Sequence, residues 1–223
     1  MTRQHTPRET VAYDPGTRGL AILIGVLFLV ATLTFLVGDA LITSAFDASG
    51  SLVEGSDLAV GAALICMCAI AVAVIGVTAY RVLRSRQPGL AMGYLILRIL
   101  EGVVIVVVAG YMVATSELIG YEAAIYVFTG VGGLLFAFAL DRSGLIPSWL
   151  ARLGIVGYLA ITLAAPIDFF GVASLDSPVG MLLYVPGALF ELILPILLIV
   201  RGFRLVGDDP GRMTPRSRRQ VAA

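Results

Sequence analysis

Six long apolar segments alternate with short polar stretches along this chain. Each apolar segment holds 20 to 25 residues, and an α-helix needs about 20 residues to cross the ~30 Å hydrocarbon core of a bilayer. The pattern therefore predicts an all-α polytopic membrane protein, built as a bundle of six transmembrane helices. The predicted spans are approximately 19–42, 58–80, 90–114, 121–140, 153–173 and 181–203.

Composition supports the same class of protein. Of the 223 residues, 59% are hydrophobic and 13% are charged, whereas soluble domains carry about 25% charged residues. A soluble fold of this size has too little interior to bury so many apolar side chains. We therefore expect the lipid bilayer to be a partner of most of the surface.

The charges predict an orientation. All 15 basic residues are arginines, which is typical of a GC-rich bacterial genome. Fourteen of them lie in the two tails and in alternate connections, while the other connections and their flanks carry acidic residues and no arginine. Because basic residues mark the cytoplasmic side, we expect both termini inside, in the bacterial cytoplasmic (inner) membrane.

The same distribution divides the chain into three parts. Residues 1–16 are predicted to be a cytoplasmic tail, and residues 17–207 to be the six-helix transmembrane domain. Residues 208–223 carry four arginines and two prolines. That composition predicts a disordered, basic cytoplasmic tail.

Three ionisable residues interrupt the spans near their midpoints. Arg98 and Glu101 lie in the third span and Glu191 lies in the sixth. A charged residue at mid-membrane costs about 2.5–3.5 kcal/mol on insertion scales, so such residues are functional candidates by default. Arg98 and Glu101 are three residues apart and share a helix face. We expect Arg98 to bridge the two carboxylates, which leaves a formal charge of −1 and one carboxyl to be neutralised by a proton.

Further polar residues extend this candidate site. Tyr94 lies one turn before Arg98 and seven residues before Glu101, and Tyr184 likewise lies seven residues before Glu191. Asp168 lies near the end of the fifth span, two residues after a proline that disturbs the helix. The predicted residues of a ligand or ion site, between the third, fifth and sixth helices, are Arg98, Glu101, Glu191, Tyr94, Tyr184 and Asp168.

Several kinds of chemistry find no support in the sequence. The one histidine, His5, is in the N-terminal tail, and Cys66 and Cys68 point to different faces of one helix. No P-loop or nucleic-acid module is present. We therefore assign no catalytic residue, no metal, no cofactor and no nucleic-acid partner.

Three functions stay open at this point. The favoured hypothesis is binding or translocation of a small molecule, ion, proton or lipid at the mid-membrane polar site. A structural or regulatory subunit, which pairs with another membrane protein or with copies of itself, is the first alternative. An intramembrane lipid-modifying enzyme that uses Glu101 and Glu191 is the second alternative, and an enzyme is the less favoured class.

Four stretches carry a resemblance to a known family. They are Gly38-Asp39, Tyr94-x3-Arg98-x2-Glu101, Ile146-Pro147-x-Trp149-Leu150-x3-Gly154, and Pro186-x3-Phe190-Glu191-Leu192 running to Gly202-Phe203. In their order and spacing the chain resembles the bacterial six-span membrane family catalogued as domain of unknown function 4386. The resemblance implies a six-helix bundle with polar residues at Arg98, Glu101 and Glu191, and it implies no activity.

Overall fold

The computed structural model describes residues 14–47, 49–119, 122–169 and 178–204. These residues form six α-helices, after a short 3-10 turn at Pro15–Thr17. No sheet occurs among them, and Phe46 and Leu52 form an isolated bridge in the first connection. The helices are α1 (Arg18–Ser44), α2 (Leu58–Leu83), α3 (Pro88–Thr115), α4 (Glu122–Ser143), α5 (Ser148–Phe169) and α6 (Pro178–Val200).

Most of these helices are long and apolar enough to cross a bilayer. Five meet that requirement by length and hydropathy, namely α1, α2, α3, α4 and α6. For α5, the stretch with described side chains is shorter, Ser148–Ala164, and is also apolar. The all-α polytopic fold is thus confirmed, and the chain is a multi-pass integral membrane protein.

The six helices form a closed ring. Each helix packs against its neighbours in sequence, and α6 returns to pack against α1. Small residues allow the closest approaches, because a Cβ on Gly38 of α1 would lie 2.9 Å from the backbone oxygen of Gly61 on α2. Such contacts between glycines are the usual means of helix association in a membrane.

Both described ends of the chain lie at one end of the ring. The backbone N–H of Asp14 donates to the carbonyl of Phe203 at 3.0 Å, and that of Arg204 donates to Leu145 at 2.9 Å. Arg86 in the second connection donates to the carbonyl of Ser143 at 3.0 Å. We call this the arginine end, and the opposite end, with Asp47, Glu54, Asp57 and Glu117, the acidic end.

Near the arginine end, α1 is held tightly against α6. The Arg18 guanidinium donates to the carbonyls of Leu198 and Ile199 at 3.1 and 2.6 Å. These carbonyls lie in the last turn of α6, so the cation also complements the helix dipole. Further along, a Cβ on Gly25 would lie 2.8 Å from the carbonyl oxygen of Pro195. The two helices therefore leave no space between them in this half of the bundle.

Candidate functional site

Arg98 and Glu101 form an ion pair inside the ring. Arg98 Nη1 donates to Glu101 Oε2 at 2.8 Å and to Oε1 at 3.1 Å. The two residues are 4% and 3% exposed. Arg98 Nε also donates to the Tyr94 hydroxyl at 3.0 Å. The predicted pairing within the third helix, with Tyr94 on the same face, is present.

Neighbouring helices hold this pair in place. Gly76 on α2 leaves room for the arginine stem, since a Cβ there would lie 2.8 Å from Arg98 Cβ. The Tyr94 ring stacks on Phe136 of α4, with ring centres 4.6 Å apart. Thr129, also on α4, donates its hydroxyl to Glu101 Oε1 at 2.6 Å. These contacts orient the carboxylate and the guanidinium together.

Glu191 is held on the other side of the ring. The Tyr158 hydroxyl of α5 donates to Glu191 Oε1 of α6 at 2.8 Å. Tyr158 is fully buried, and its ring occupies the space that a Cβ on Gly133 of α4 would fill. The Phe190 ring contacts Tyr158 edge to face, with centres 5.6 Å apart. Glu191 therefore has a partner whose position is set by packing.

The direct bridge predicted from Arg98 to Glu191 is wrong. In the described part of the chain, the ion pair of Arg98 is with Glu101, and Glu191 is bonded to Tyr158. The reason is the ring itself, in which α3 and α6 are three places apart and lie on opposite sides. A tyrosine on the adjacent helix takes the place that Arg98 was expected to fill.

Both clusters contribute to the wall of one cavity of about 600 Å³. Arg98, Glu101 and Glu191 all lie in its wall, and so does Tyr184. The hydrogen bonds of the Arg98 guanidinium to Tyr94 and Glu101 are made by Nε and Nη1. Because Arg98 also lies in the cavity wall, its side chain is next to the volume that a ligand would occupy.

All six helices contribute to the cavity wall, and most of the wall is apolar. Its described residues lie from the middle of the bundle toward the acidic end. The apolar residues that line it include Phe28, Phe35, Cys68, Val72, Ile75, Ile105, Ile125 and Ile161. A concave, largely apolar pocket with a few polar groups is the usual form of a small-molecule site.

The cavity reaches the outer surface of the ring between α1 and α6. Leu36 of α1 and Leu192 of α6 both line it, and they are 59% and 53% exposed. The two helices are in contact near the arginine end, as the Arg18 and Gly25 contacts show. They leave the cavity accessible from the lipid-facing side in the other half.

Two tyrosine rings also lie in the cavity wall. Tyr126 of α4 and Tyr184 of α6 have ring centres 5.4 Å apart and are tilted by 59°. Tyr184 was predicted from its spacing to Glu191, and Tyr126 was not predicted. Together they place aromatic surface on the side of the cavity nearer the acidic end.

Two predictions concern parts of the chain whose side chains the structure does not describe. Asp168 lies in the last turns of α5, where the side chains are outside the described residues, and the tail 208–223 is also outside them.

Thr129 and Tyr158 were missed by the sequence analysis, because a lone Thr or Tyr in an apolar span is common. The one available signal was the glycine pair Gly132-Gly133, of which Gly133 lies against the Tyr158 ring.

Metal binding finds no support in the described ranges. No group of three or more His, Cys, Asp or Glu side chains there is arranged to hold a metal ion. The polar atoms of the cavity are instead two carboxylates, one guanidinium and several hydroxyls. This donor set suits hydrogen bonding and ion pairing with an organic molecule.

Comparison with known proteins identifies the family of this chain. Searches of curated proteins and of solved structures found no match. A family model described as a domain of unknown function, DUF4386, matches residues 23–124 and 113–202. Because the matched residues cover most of the chain, the resemblance carried by the four motifs is confirmed, and the protein belongs to the DUF4386 family.

Proposed function

We propose that this protein binds or translocates a small, mainly apolar molecule or lipid in the cavity of its helix ring. The observation that carries the proposal is the cavity of about 600 Å³ with Arg98, Glu101 and Glu191 in its wall. Ligand pockets have volumes of roughly 300–1,000 Å³. A polar group on the ligand would meet Arg98 or Glu191, and its apolar part would contact the remaining wall.

A purely structural role for the polar residues fits this arrangement less well. Residues that serve only helix pairing are expected to be fully paired and closely packed. Here Arg98 and Glu191 both lie beside open volume. An enzymatic role is also less favoured, because the Glu101 carboxylate is held by Arg98 and Thr129 and is poorly placed to exchange protons.

The experiment is native mass spectrometry of the protein extracted from membranes. Ala188 lines the cavity, so Ala188→Phe should fill part of it. Ala63 is exposed on α2 outside the cavity, so Ala63→Phe is the matched control. We expect the wild type and Ala63→Phe to retain a bound small molecule or lipid that Ala188→Phe loses. Identical bound masses in the two folded variants would contradict the proposal.

We also propose that the arginine end faces the cytoplasm of a bacterial cell. The supporting observation is that every arginine except Arg98 lies at that end or in the sequence beyond it. Basic connections are retained on the cytoplasmic side. A green fluorescent protein fused after residue 223 should fluoresce, and an alkaline phosphatase at the same place should be inactive. The opposite pair of results would reverse the orientation.

A further inference from the structure

We propose that the ligand of the cavity is a lipophilic cation, an organic molecule with an apolar body and one positive charge, and that Glu191 is its counterion. The inference rests on the proposed function, because it names the class of ligand for the same cavity. It follows from three features of the wall: its charge balance, its apolar surface with a lateral opening, and its tyrosine rings.

The charge balance of the cavity favours a cation. Arg98 is paired with Glu101 through both carboxylate oxygens, so these two charges cancel. Glu191 has a neutral partner, the Tyr158 hydroxyl. Among the described residues of the wall, the formal charge is therefore −1, located at Glu191. An unpaired charge away from water is costly, and either a proton or a bound cation would neutralise it.

The apolar wall and its opening favour a lipophilic molecule. Phe28, Phe35, Val72 and Ile105 line the cavity, and burying a ligand's apolar surface against them is favourable by about 25 cal/mol per Å². Access between α1 and α6, past Leu36, is from the lipid-facing side. A hydrophilic ion would have to leave water before reaching this opening. A lipophilic cation already partitions into the bilayer.

The tyrosine rings add a second attraction for positive charge. Tyr126 and Tyr184 line the same cavity as Glu191. The face of an aromatic ring attracts a cation within about 6 Å of its centre, most strongly where water is excluded. A carboxylate together with two aromatic rings is a wall suited to an ammonium or phosphonium group that carries bulky apolar substituents.

Because Arg98 in the same wall is positively charged, the experiment must compare a cation and an anion of the same shape. Tetraphenylphosphonium and tetraphenylborate are nearly identical in size and apolar surface and differ in charge. Binding of each would be measured by equilibrium dialysis with the protein in lipid nanodiscs. Empty nanodiscs correct for membrane partitioning, and the part of binding lost in Ala188→Phe is the part due to the cavity.

We expect cavity-dependent binding of tetraphenylphosphonium and none of tetraphenylborate. Glu191→Gln should weaken phosphonium binding by about tenfold or more, as the loss of one close charge contact does. Glu117→Gln is the matched control, because Glu117 also accepts a tyrosine hydroxyl at 2.8 Å but is exposed at the acidic end. It should bind the phosphonium as the wild type does.

Two results of this binding experiment would overturn the inference. The first is cavity-dependent binding of the borate that is as strong as that of the phosphonium, or stronger. This comparison needs only the wild type and Ala188→Phe. The other is unchanged phosphonium affinity in folded Glu191→Gln. The proposed function fails separately, when native mass spectrometry finds no ligand that Ala188→Phe removes. A neutral ligand found there would support the proposed function and contradict the cation.

Discussion

Tyr158 on α5 donates its hydroxyl hydrogen to Glu191 on α6 at 2.8 Å, and Glu191 lines the same cavity as Arg98. This bond joins adjacent helices and satisfies a carboxyl group in the interior of a membrane bundle. A hydrogen bond to a charged or strongly polar group contributes about 1.5–3 kcal/mol to stability, more than an ordinary one. It also sets which way the Glu191 side chain faces the cavity.

Removing the Tyr158 hydroxyl should therefore destabilise the bundle. Tyr158→Phe keeps the ring contacts with Phe190 and should lower the free energy of unfolding by about 1.5–3 kcal/mol, measured by denaturant titration in detergent micelles. Tyr111→Phe removes a similar bond to Glu117 at the exposed acidic end and should change stability by under about 0.5 kcal/mol. Equal losses of stability in the two variants would show that the buried bond contributes no more than the exposed one.

The pair of Arg98 and Glu101 should behave as a unit. Arg98→Met leaves Glu101 buried without its cation and should cost about 3–5 kcal/mol. Adding Glu101→Met removes the uncompensated charge, so the double variant should be more stable than the single one. Unfolding of the wild type, both single variants and the double variant completes a double-mutant cycle. Additive losses would contradict a direct interaction between the two side chains.

Gly76 should not tolerate a methyl group. A Cβ there would lie 2.8 Å from Arg98 Cβ, an atom close to the backbone that cannot easily move away. Gly76→Ala should therefore cost about 1–3 kcal/mol, as overpacking does, in the same unfolding assay. Gly110 on α3 has open space around its position, so Gly110→Ala should cost nothing. If Gly76→Ala left the free energy of unfolding unchanged, α2 and α3 would have to be free to move apart.

The acidic end should show one specific pH dependence. The Asp47 carboxylate accepts hydrogen bonds from the Ser49 hydroxyl and from the backbone N–H groups of Ser51 and Ser49. These bonds hold the pKa of Asp47 below its ordinary value of 3.8. The stabilisation of this turn is thus complete above about pH 4 and is lost as the pH falls through the lowered pKa.

Nuclear magnetic resonance can follow that transition. The amide protons of Ser49 and Ser51 should shift together, with a midpoint below 3.8, and the same shifts should be absent in Asp47→Asn. A midpoint at or above the ordinary value would mean that these bonds do not form in solution. Because Asp47 is exposed, we expect the effect to be confined to the turn.

Much of the fold could be predicted from the sequence because bilayer thickness is a strict constraint. An apolar segment of about 20 residues in a multi-pass chain must satisfy its backbone within a helix, so segment length alone predicts six helices. The Arg98–Glu101 pair was equally predictable, since residues three apart on a helix are neighbours wherever the helix lies. Neither conclusion depends on how the helices are arranged.

The tertiary structure decided everything that depends on helix order around the ring. The sequence placed Arg98 and Glu191 at a similar depth, but depth does not determine the angle between α3 and α6 about the axis. Because these helices face each other across the ring, Glu191 bonds to Tyr158 instead of Arg98, and both clusters line one cavity. The sequence by itself determined which polar residues lie in the membrane, and packing of small residues between helices determined which of them meet.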